Sequence, residues 1–569
     1  MAQTLPSALP HPCLPSPWFE APDPALERLP AWHEAPAPPV IWSVAGHDSG
    51  GAAGLSADAR AAAALGVHLC PVVAAVTAQN SLGVEAVHAL PGAQIRAQLA
   101  ALRQDLTPRV IKTGLLGSVD AVEALLEVLA QLRAQGRRVD LVVDPVLGAS
   151  AGGAAFCDEA LLQACRERLL PAATLITPNR REALRLLQHL PGAEARAGLD
   201  VPALAAALRH HLAPQAGVCI TGGDDALPVP GAQDLALDWL DLPDQGQGSS
   251  PALRGWLALP RLRQAPLHHH GSGCTFASAA AAALARGFPV GDALVLAKMC
   301  SWHGLRQGHA AGAGPGPLRP TPDFIHSPEA LPVMGFGDET RPDATTLARW
   351  TAVLSGTAGA ADMGKGLYGI VDDEQGLAAV AGAGLAHLQL RSKTAPDDDS
   401  AALRRRIAAA VQCMRGHPGT RFWVNDHWQL ALELGAGGIH LGQEDWACLD
   451  AAQRLHILDS GAALGLSSHS LWELARARGL APAYIACGPV WATTTKRMPW
   501  LAQGLSQLAW WARMAGRPVV AIGGVLAPEQ VEAAARAGAS AVCLVRGLAP
   551  ERLEAYRAAW RAGRRDVSG

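Results

Sequence analysis

"HHHGSGCTFASAAAAALARG", residues His268–Gly287, joins a polar loop to a run of small helix formers through two glycines and a cysteine. A helix N-terminus carries unpaired N–H groups and partial positive charge. Gly271, Ser272 and Gly273 let the backbone fold so that those N–H groups converge on an anion. The same field lowers the pKa of a cysteine at the helix start, which would make Cys274 a base beside a phosphate. Taken alone, the stretch is weak evidence. A tight turn with a small buried cysteine explains it equally well, and the surrounding pattern has to decide.

From Val40 onward, short apolar runs alternate with Ala/Leu-rich helical stretches. "VIWSVAG" (40–46), "CPVVAAVTA" (70–78), "RVIKTG" (109–114), "VDLVVDPV" (139–146), "TLITPN" (174–179) and "GVCITGG" (217–223) read as strands. This alternation predicts an α/β fold with a mostly parallel sheet. It stops between about Gly312 and Gly366, where "GAGPGPLRPTPDFIHSPEALP" has turn and linker chemistry. A second series then supplies eight strand candidates: "LYGIVDD", "HLQLRSK", "RFWVND", "GIHLGQED", "LGLSSHS", "YIACGPV", "VVAIGG" and "AVCLVRG". Eight βα units in so short a length predict a compact (β/α)₈ barrel, with polar residues at the strand ends where barrel sites are built. The expected boundaries are a Pro-rich extension (1–38), a first domain (39–316), a linker (317–365), a barrel (366–555) and a tail (556–569).

The bulk numbers fit. A chain of 569 residues exceeds one hydrophobic core. Net charge is −3, with nothing basic enough for a general nucleic-acid surface. The 11 cysteines form no CxxC pair or zinc spacing, which argues for a reducing compartment. No uninterrupted apolar run is long enough to span a membrane. The N-terminal stretch lacks a basic start and an apolar core, so it does not read as a signal peptide and the cytoplasm is expected. Small molecules are the expected partners, with no nucleic acid and no membrane; self-association is left open.

In order, "SVAGHDSGGAAGLSADARAAAALG" (43–66), "VTAQNSLGV", "IKTGLLGS", "VVDPVLGAS", "LITPNRREA" and "HGSGCTFASA" resemble the hydroxymethylpyrimidine/phosphomethylpyrimidine kinases of the ribokinase-like superfamily, over roughly residues 40–316. The resemblance implies a ribokinase-like α/β sandwich with ATP as co-substrate. It implies that Asp58 and Gln79 hold the pyrimidine, with Gly46 and Asp48 in the same pocket. Gly271 to Gly273 would form the anion hole, and Cys274 would accept the hydroxymethyl proton. Asn179 and Glu182 would organise Mg²⁺, and Asp144 would sit near the nucleotide phosphates. Similar kinases often have a lysine where Thr221 stands here. Lys112 is a candidate positive charge, although a solvated lysine is an equally good reading. The consecutive His47, Asp48 and Ser49 are not a catalytic triad, which is defined by geometry rather than adjacency.

In the second half, Asp426 and Asp445 close successive strands, where two carboxylates can share one hard cation. Arg391 and Lys393 alternate with Gln389 on one side of "QLRSK". With Lys496 they bring three cations to one mouth, which suits a pyrophosphate leaving group. "HLQLRSK", "WVNDHWQLA", "GIHLGQED", "LGLSSHS", "GPVWATTTK" and "AIGGV" resemble thiamine-phosphate synthase over about residues 366–550. The resemblance implies that Gln389, Arg391, Lys393, Asn425, Lys496 and a serine, Ser467 or its neighbour Ser468, bind an aminopyrimidine diphosphate. Asp426 and Asp445 would hold Mg²⁺. Thr493, Thr494, Thr495, Gly524, Val545 and Arg546 would bind a thiazole phosphate, Arg546 standing where similar synthases usually have serine. The two halves would then run successive steps toward thiamine phosphate. A pyridoxal-type kinase fused to a thiazole tautomerase is a rival, opposed by the aspartate pair and "TTTK". A regulatory protein with a degenerate barrel is another, opposed by near-complete motifs.

Overall fold

The computed structural model describes residues 37–148, 157–190, 198–222, 231–243, 253–263, 268–359, 363–392, 400–493 and 502–565. The chain forms two compact units that divide between Leu354 and Ser355.

The first unit is built on a ten-stranded sheet. Its strands are β1 (Val40–Asp48), β2 (His68–Gln79), β3 (Val84–Ala89), β4 (Val110–Thr113), β5 (Asp140–Val143), β6 (Leu175–Ile176), β7 (Gly217–Ile220), β8 (Leu235–Asp241), β9 (Arg254–Pro260) and β10 (Val333–Met334). The order is β10-β9-β8-β7-β6-β5-β4-β1-β2-β3. The central pairs from β2 through β7 are parallel. Their short apolar runs are buried, as a sheet covered on both faces requires. Antiparallel strands finish both edges. All six expected strands are present; the edge strands β3, β8, β9 and β10 were not anticipated.

The helix Ser272–Ala285 buries ten residues, nine of them Ala, Ser or Thr. That run lets it lie against both the helix Gly54–Ala64 and the helix Val290–Arg306. The expected linker is a correction. Residues 333–334 pair with β9, and the helix Ala344–Leu354 buries Leu347 and Trp350 in the first unit's core, so this segment completes the sheet.

The second unit is a closed barrel of eight parallel strands. They are β11 (Gly366–Val371), β12 (His387–Leu390), β13 (Arg421–Asn425), β14 (Gly438–Leu441), β15 (Ala463–Ser468), β16 (Tyr484–Cys487), β17 (Val519–Ala521) and β18 (Ala541–Leu544). Each matches one of the eight expected strands. Tyr368, Ile370, Trp423, Tyr484, Val520 and Cys543 fill the interior. Glycine makes room for them: a Cβ at Gly465 would come within 2.3 Å of the Tyr484 ring and one at Gly438 within 2.4 Å of Trp423. The expected C-terminal tail is instead the helix Leu553–Arg565, which buries Tyr556 and packs on the helix Pro528–Arg536. No helix among the described residues is long and apolar enough to cross a membrane.

Candidate active sites

The parallel strands of the first unit end at a cavity of about 540 Å³, where α/β sheets bind ligands. Gly46, Asp48, Gln79, Asp144, Asn179, Glu182, Gly271, Gly273 and Cys274 all line it. The glycine loop is built as its sequence requires. Gly271 caps the helix Ser272–Ala285 at φ 84°, and a Cβ there would lie 2.4 Å from the Ala52 carbonyl oxygen. At Gly273 a Cβ would meet nothing within 4 Å, so the helix start stays open.

The polar groups divide into scaffold and free surface. Asp48 accepts backbone N–H bonds from Gly50, Ala52 and Ala53 at 2.8–3.0 Å and so fixes the facing loop. Asn179 and Glu182 form a reciprocal capping box, each accepting the other's backbone N–H at 2.9 Å. Gln79 Nε2 lies 2.7 Å from His270 Nε2, a neighbour absent from the expected set.

Two expectations change. Asp58 is wholly buried outside the cavity lining. Its carboxylate is taken up by Lys112 at 2.9 and 3.1 Å, Ser43 at 2.6 Å and Ser278 at 2.8 Å. It therefore sits behind the pocket rather than against a pyrimidine. Lys112 is not solvated but fully buried, and its Nζ also lies 3.8 Å from Asp144 Oδ2. Burial opposes its charge, yet Asp58, Cys274 and Asp144 outweigh burial and hold the pKa above the usual lysine range. Burial pushes Asp144 up to about 6, against the pull of Lys112.

Cys274 opens half-buried onto the cavity. Burial pushes the thiol up to about 12, against Lys112 and a hydrogen bond from the Gly54 backbone. Desolvation of a thiolate favours the neutral thiol. The resting group is therefore a thiol.

Thr221, which is bridged to Asn179, lines the cavity, as does Arg261. Strands β7 and β9 both pair antiparallel with β8 and so run the same way, which brings Arg261 and Thr221 to the same sheet edge. Arg261 Nε is buried with no hydrogen-bond partner among the described residues. Sequence reasoning passed over this arginine because nothing in its flanking residues marks it.

In the barrel, Gln389 and Asn425 lie at the C-terminal ends of β12 and β13, both largely buried. Arg391 follows β12 and Asp426 follows β13. Asp426 takes φ 62° and donates its backbone N–H to the His440 carbonyl, which projects an exposed carboxylate from the rim. Asp445 is exposed beyond β14 and accepts the Gly442 N–H at 3.0 Å. These carboxylates follow adjacent strands, as the sequence implied.

Strand alternation separates the two serines. Ser467 bonds inward to His440 at 2.9 Å, whereas Ser468 is buried and accepts from Gln443 at 3.0 Å. Ser468 is thereby removed from the interior set. At the last loops, a Cβ on Gly524 would come within 2.7 Å of the Ala492 carbonyl, so this glycine lets two loops approach. Thr493 and Val545 are half-buried and Arg546 is exposed. Lys393, Thr494, Thr495 and Lys496 lie outside the described residues.

Anion-handling features at the carboxyl ends of the strands in both units define a two-site transferase, one site of α/β-kinase type and one of barrel type. A family model described as phosphomethylpyrimidine kinase matches residues 48–319, and one described as thiamine monophosphate synthase matches residues 367–548. A probable thiamine biosynthetic bifunctional enzyme, chloroplastic, of Oryza sativa subsp. japonica is 33% identical over 500 residues, covering 87% of this chain and 82% of that protein. Its Arabidopsis thaliana counterpart, thiamine biosynthetic bifunctional enzyme TH1, chloroplastic, is 32% identical, covering 86% and 85%. A hydroxymethylpyrimidine/phosphomethylpyrimidine kinase of Streptomyces coelicolor is 38% identical over 281 residues, 49% of this chain and 94% of that one. The chain belongs to the family of bifunctional thiamine biosynthetic enzymes. It joins a phosphomethylpyrimidine-kinase unit on a ten-stranded sheet to a thiamine-monophosphate-synthase unit that is a closed eight-stranded barrel.

Proposed function

We propose that the first unit phosphorylates 4-amino-5-hydroxymethyl-2-methylpyrimidine and then its monophosphate. The barrel joins the resulting diphosphate to hydroxyethylthiazole phosphate, giving thiamine phosphate and pyrophosphate. The observation that carries this reading is the pairing of the two sites in one chain, because the product of one is the substrate of the other.

In the kinase, Gly271 and Gly273 offer backbone N–H groups to the transferred phosphoryl, and Gln79 meets the pyrimidine. Cys274 orients the hydroxymethyl oxygen, and its minor thiolate form takes the hydroxyl proton as the new O–P bond forms and the bond from phosphorus to the ADP oxygen breaks. A loose phosphoryl-transfer transition state asks for little more than positioning and charge neutralisation. Arg261 stands on the edge that Thr221 leaves without a cation and meets the triphosphate.

In the barrel, Gln389, Arg391, Asn425 and Ser467 hold the pyrimidine diphosphate, with Lys393 and Lys496 from the sequence set. Thr493, Gly524 and the loop after β18 hold the thiazole phosphate. The C–O bond to pyrophosphate breaks with its electron pair, the electron-rich pyrimidine carries the methylene cation, and the thiazole nitrogen forms the new C–N bond. Asp426 and Asp445 fit Mg²⁺ as exposed hard oxygen donors beyond adjacent strands. Asp144, Asn179 and Glu182 are the corresponding kinase group. When bound, the cation neutralises phosphate oxygens and the departing pyrophosphate. A reducing aqueous compartment such as the cytoplasm fits the ten free cysteines among the described residues.

The test is a coupled assay. Hydroxymethylpyrimidine, ATP, Mg²⁺ and thiazole phosphate should yield thiamine phosphate. The diphosphate should accumulate when thiazole phosphate is withheld. Absence of either product overturns the reading for the corresponding unit.

A further inference from the structure

The barrel interior contains a chain of polar contacts that links two of these binding residues, Gln389 and Ser467, through three side chains the binding and metal chemistry does not use. Gln389 Nε2 lies 3.1 Å from Tyr368 Oη, and Tyr368 Oη lies 2.7 Å from Tyr484 Oη. Tyr484 Oη lies 2.7 Å from His440 Nδ1, and His440 Nε2 lies 2.9 Å from Ser467 Oγ. The five residues come from β12, β11, β16, β14 and β15. Four of them are almost wholly buried, and Ser467 is half-buried at the open end. The rings are packed in place: His440 stacks on Tyr484 at 5.6 Å and 14°, and Tyr368 meets Tyr484 edge-on at 5.7 Å.

Such a buried chain is stable only if every member is satisfied. Each tyrosine has one proton to give, and a neutral imidazole carries one N–H. The amide nitrogen of Gln389 can only donate. Its proton goes to Tyr368, so the Tyr368 proton goes to Tyr484 and the Tyr484 proton to His440 Nδ1. The imidazole hydrogen must then sit on Nε2 and point at Ser467 Oγ. The one proton left over, on Ser467, is directed away from the chain.

We propose that this chain is a polarised relay in which Gln389, through Tyr368, Tyr484 and the Nε2–H tautomer of His440, fixes Ser467 as a hydrogen-bond donor to the diphosphate of the barrel's substrate. Tyr368, Tyr484 and His440 are positioning residues. The relay leaves the acceptor Oε1 of Gln389 at one end and a donor hydroxyl at the other. That pattern matches a molecule with an aromatic amine at one end and phosphate oxygens at the other. The reverse polarity would present serine lone pairs to an anion and be repelled. This inference rests on the condensation reading above.

Two measurements on the full-length chain test it. The first is ¹⁵N NMR of the histidine-labelled protein, with His440 assigned by the resonance lost in His440→Gln. The expected signature is a neutral Nε2–H ring at pH 8. An Nδ1–H ring would reverse every link and overturn the relay. The second is Tyr484→Phe, which keeps the ring and removes the link. A charge-assisted bond loses about 1.5–3 kcal/mol, so KM for the pyrimidine diphosphate should rise about 10- to 100-fold. KM for thiazole phosphate and the kinase rate should not move. Tyr368→Phe, one link further away, should move the same constant in the same direction and is the second variant if Tyr484→Phe misfolds. Equal rises in both KM values, or no rise for the diphosphate, would reduce the chain to packing. Loss of condensation in the parent protein would strike the function reading instead.

Discussion

Lys112 Nζ lies 2.9 Å from Asp58 Oδ1, with both side chains fully removed from solvent. Neither charge can be dropped alone. Lys112→Met leaves a buried carboxylate without its counterion and should cost roughly 3–5 kcal/mol. Lys112→Met combined with Asp58→Asn removes both charges, keeps an acceptor for one of Ser43 and Ser278 and offers an NH2 to the other hydroxyl, so it should lose clearly less. Denaturant unfolding of the kinase unit in the two variants checks this. Equal losses would mean that the pair is not coupled.

Cys274→Ala should slow both phosphorylations by about 10²–10⁴ and leave the barrel fully active on supplied diphosphate. Because the thiol is pushed up to about 12, alkylation of Cys274 should be slow at pH 7 and speed up steadily to pH 10. Mass spectrometry of the tryptic peptide reads that rate. A fast reaction at pH 7 would show a resting thiolate and restore the role expected from the helix field.

Arg261→Met should raise KM for ATP about tenfold or more, the worth of one charge-assisted phosphate contact. KM for the pyrimidine should stay put. Adding Thr221→Lys brings an ammonium to the same edge and should recover most of the loss. An unchanged KM for ATP would leave Arg261 outside the nucleotide site.

How much of this was legible follows from how each residue is specified. Strands β5 and β7 announce themselves because a covered parallel strand is mostly apolar. The eight barrel strands do so through their polar ends. Asp58 and Lys112 misled because their meeting is tertiary: 54 residues separate them, and "VIKTG" gives no hint that its lysine is buried. Cys274 sits where the helix field was expected, but the field competes with a desolvation that sequence cannot measure. Ser467 and Ser468 look alike in "LSSHS" and are told apart only by the register of β15. Residues 317–354 read as linker because their proline-rich start hides a two-residue strand, and nothing in "DATTLARWTAVLSG" says which core its helix joins.

Asp445→Asn should abolish condensation while the kinase continues. The asparagine keeps an oxygen to accept the Gly442 N–H, so the local cap survives and only the charge is lost. A hard cation loses much of its hold when a carboxylate becomes neutral. With hydroxymethylpyrimidine, ATP and thiazole phosphate, the variant should accumulate pyrimidine diphosphate. Parent-like thiamine phosphate formation would remove Asp445 from the metal site.

The barrel should lose stability in mild acid, and one histidine can be made to account for part of it. His387 Nε2 lies 2.6 Å from the Gly364 carbonyl, and its Nδ1 accepts the Trp423 indole N–H at 3.4 Å. The ring is therefore held as the neutral Nε2–H tautomer, and protonating Nδ1 would set it against a donor. Burial is the main cause that lowers its pKa from the usual 6.5 to about 4. The unfolded chain thus binds a proton between these values that the folded chain refuses. Linkage makes stability fall as pH drops from about 6.5 toward 4, with no further loss from this group below that. At about 1.4 kcal/mol per pKa unit, the effect is roughly 3 kcal/mol. His387→Gln can donate to Gly364 and accept from Trp423 without titrating. Urea unfolding of the barrel at pH 7 and pH 4.5 should therefore show a smaller difference in the variant than in the parent. Identical pH dependence in both would mean that His387 already carries a proton in the folded barrel.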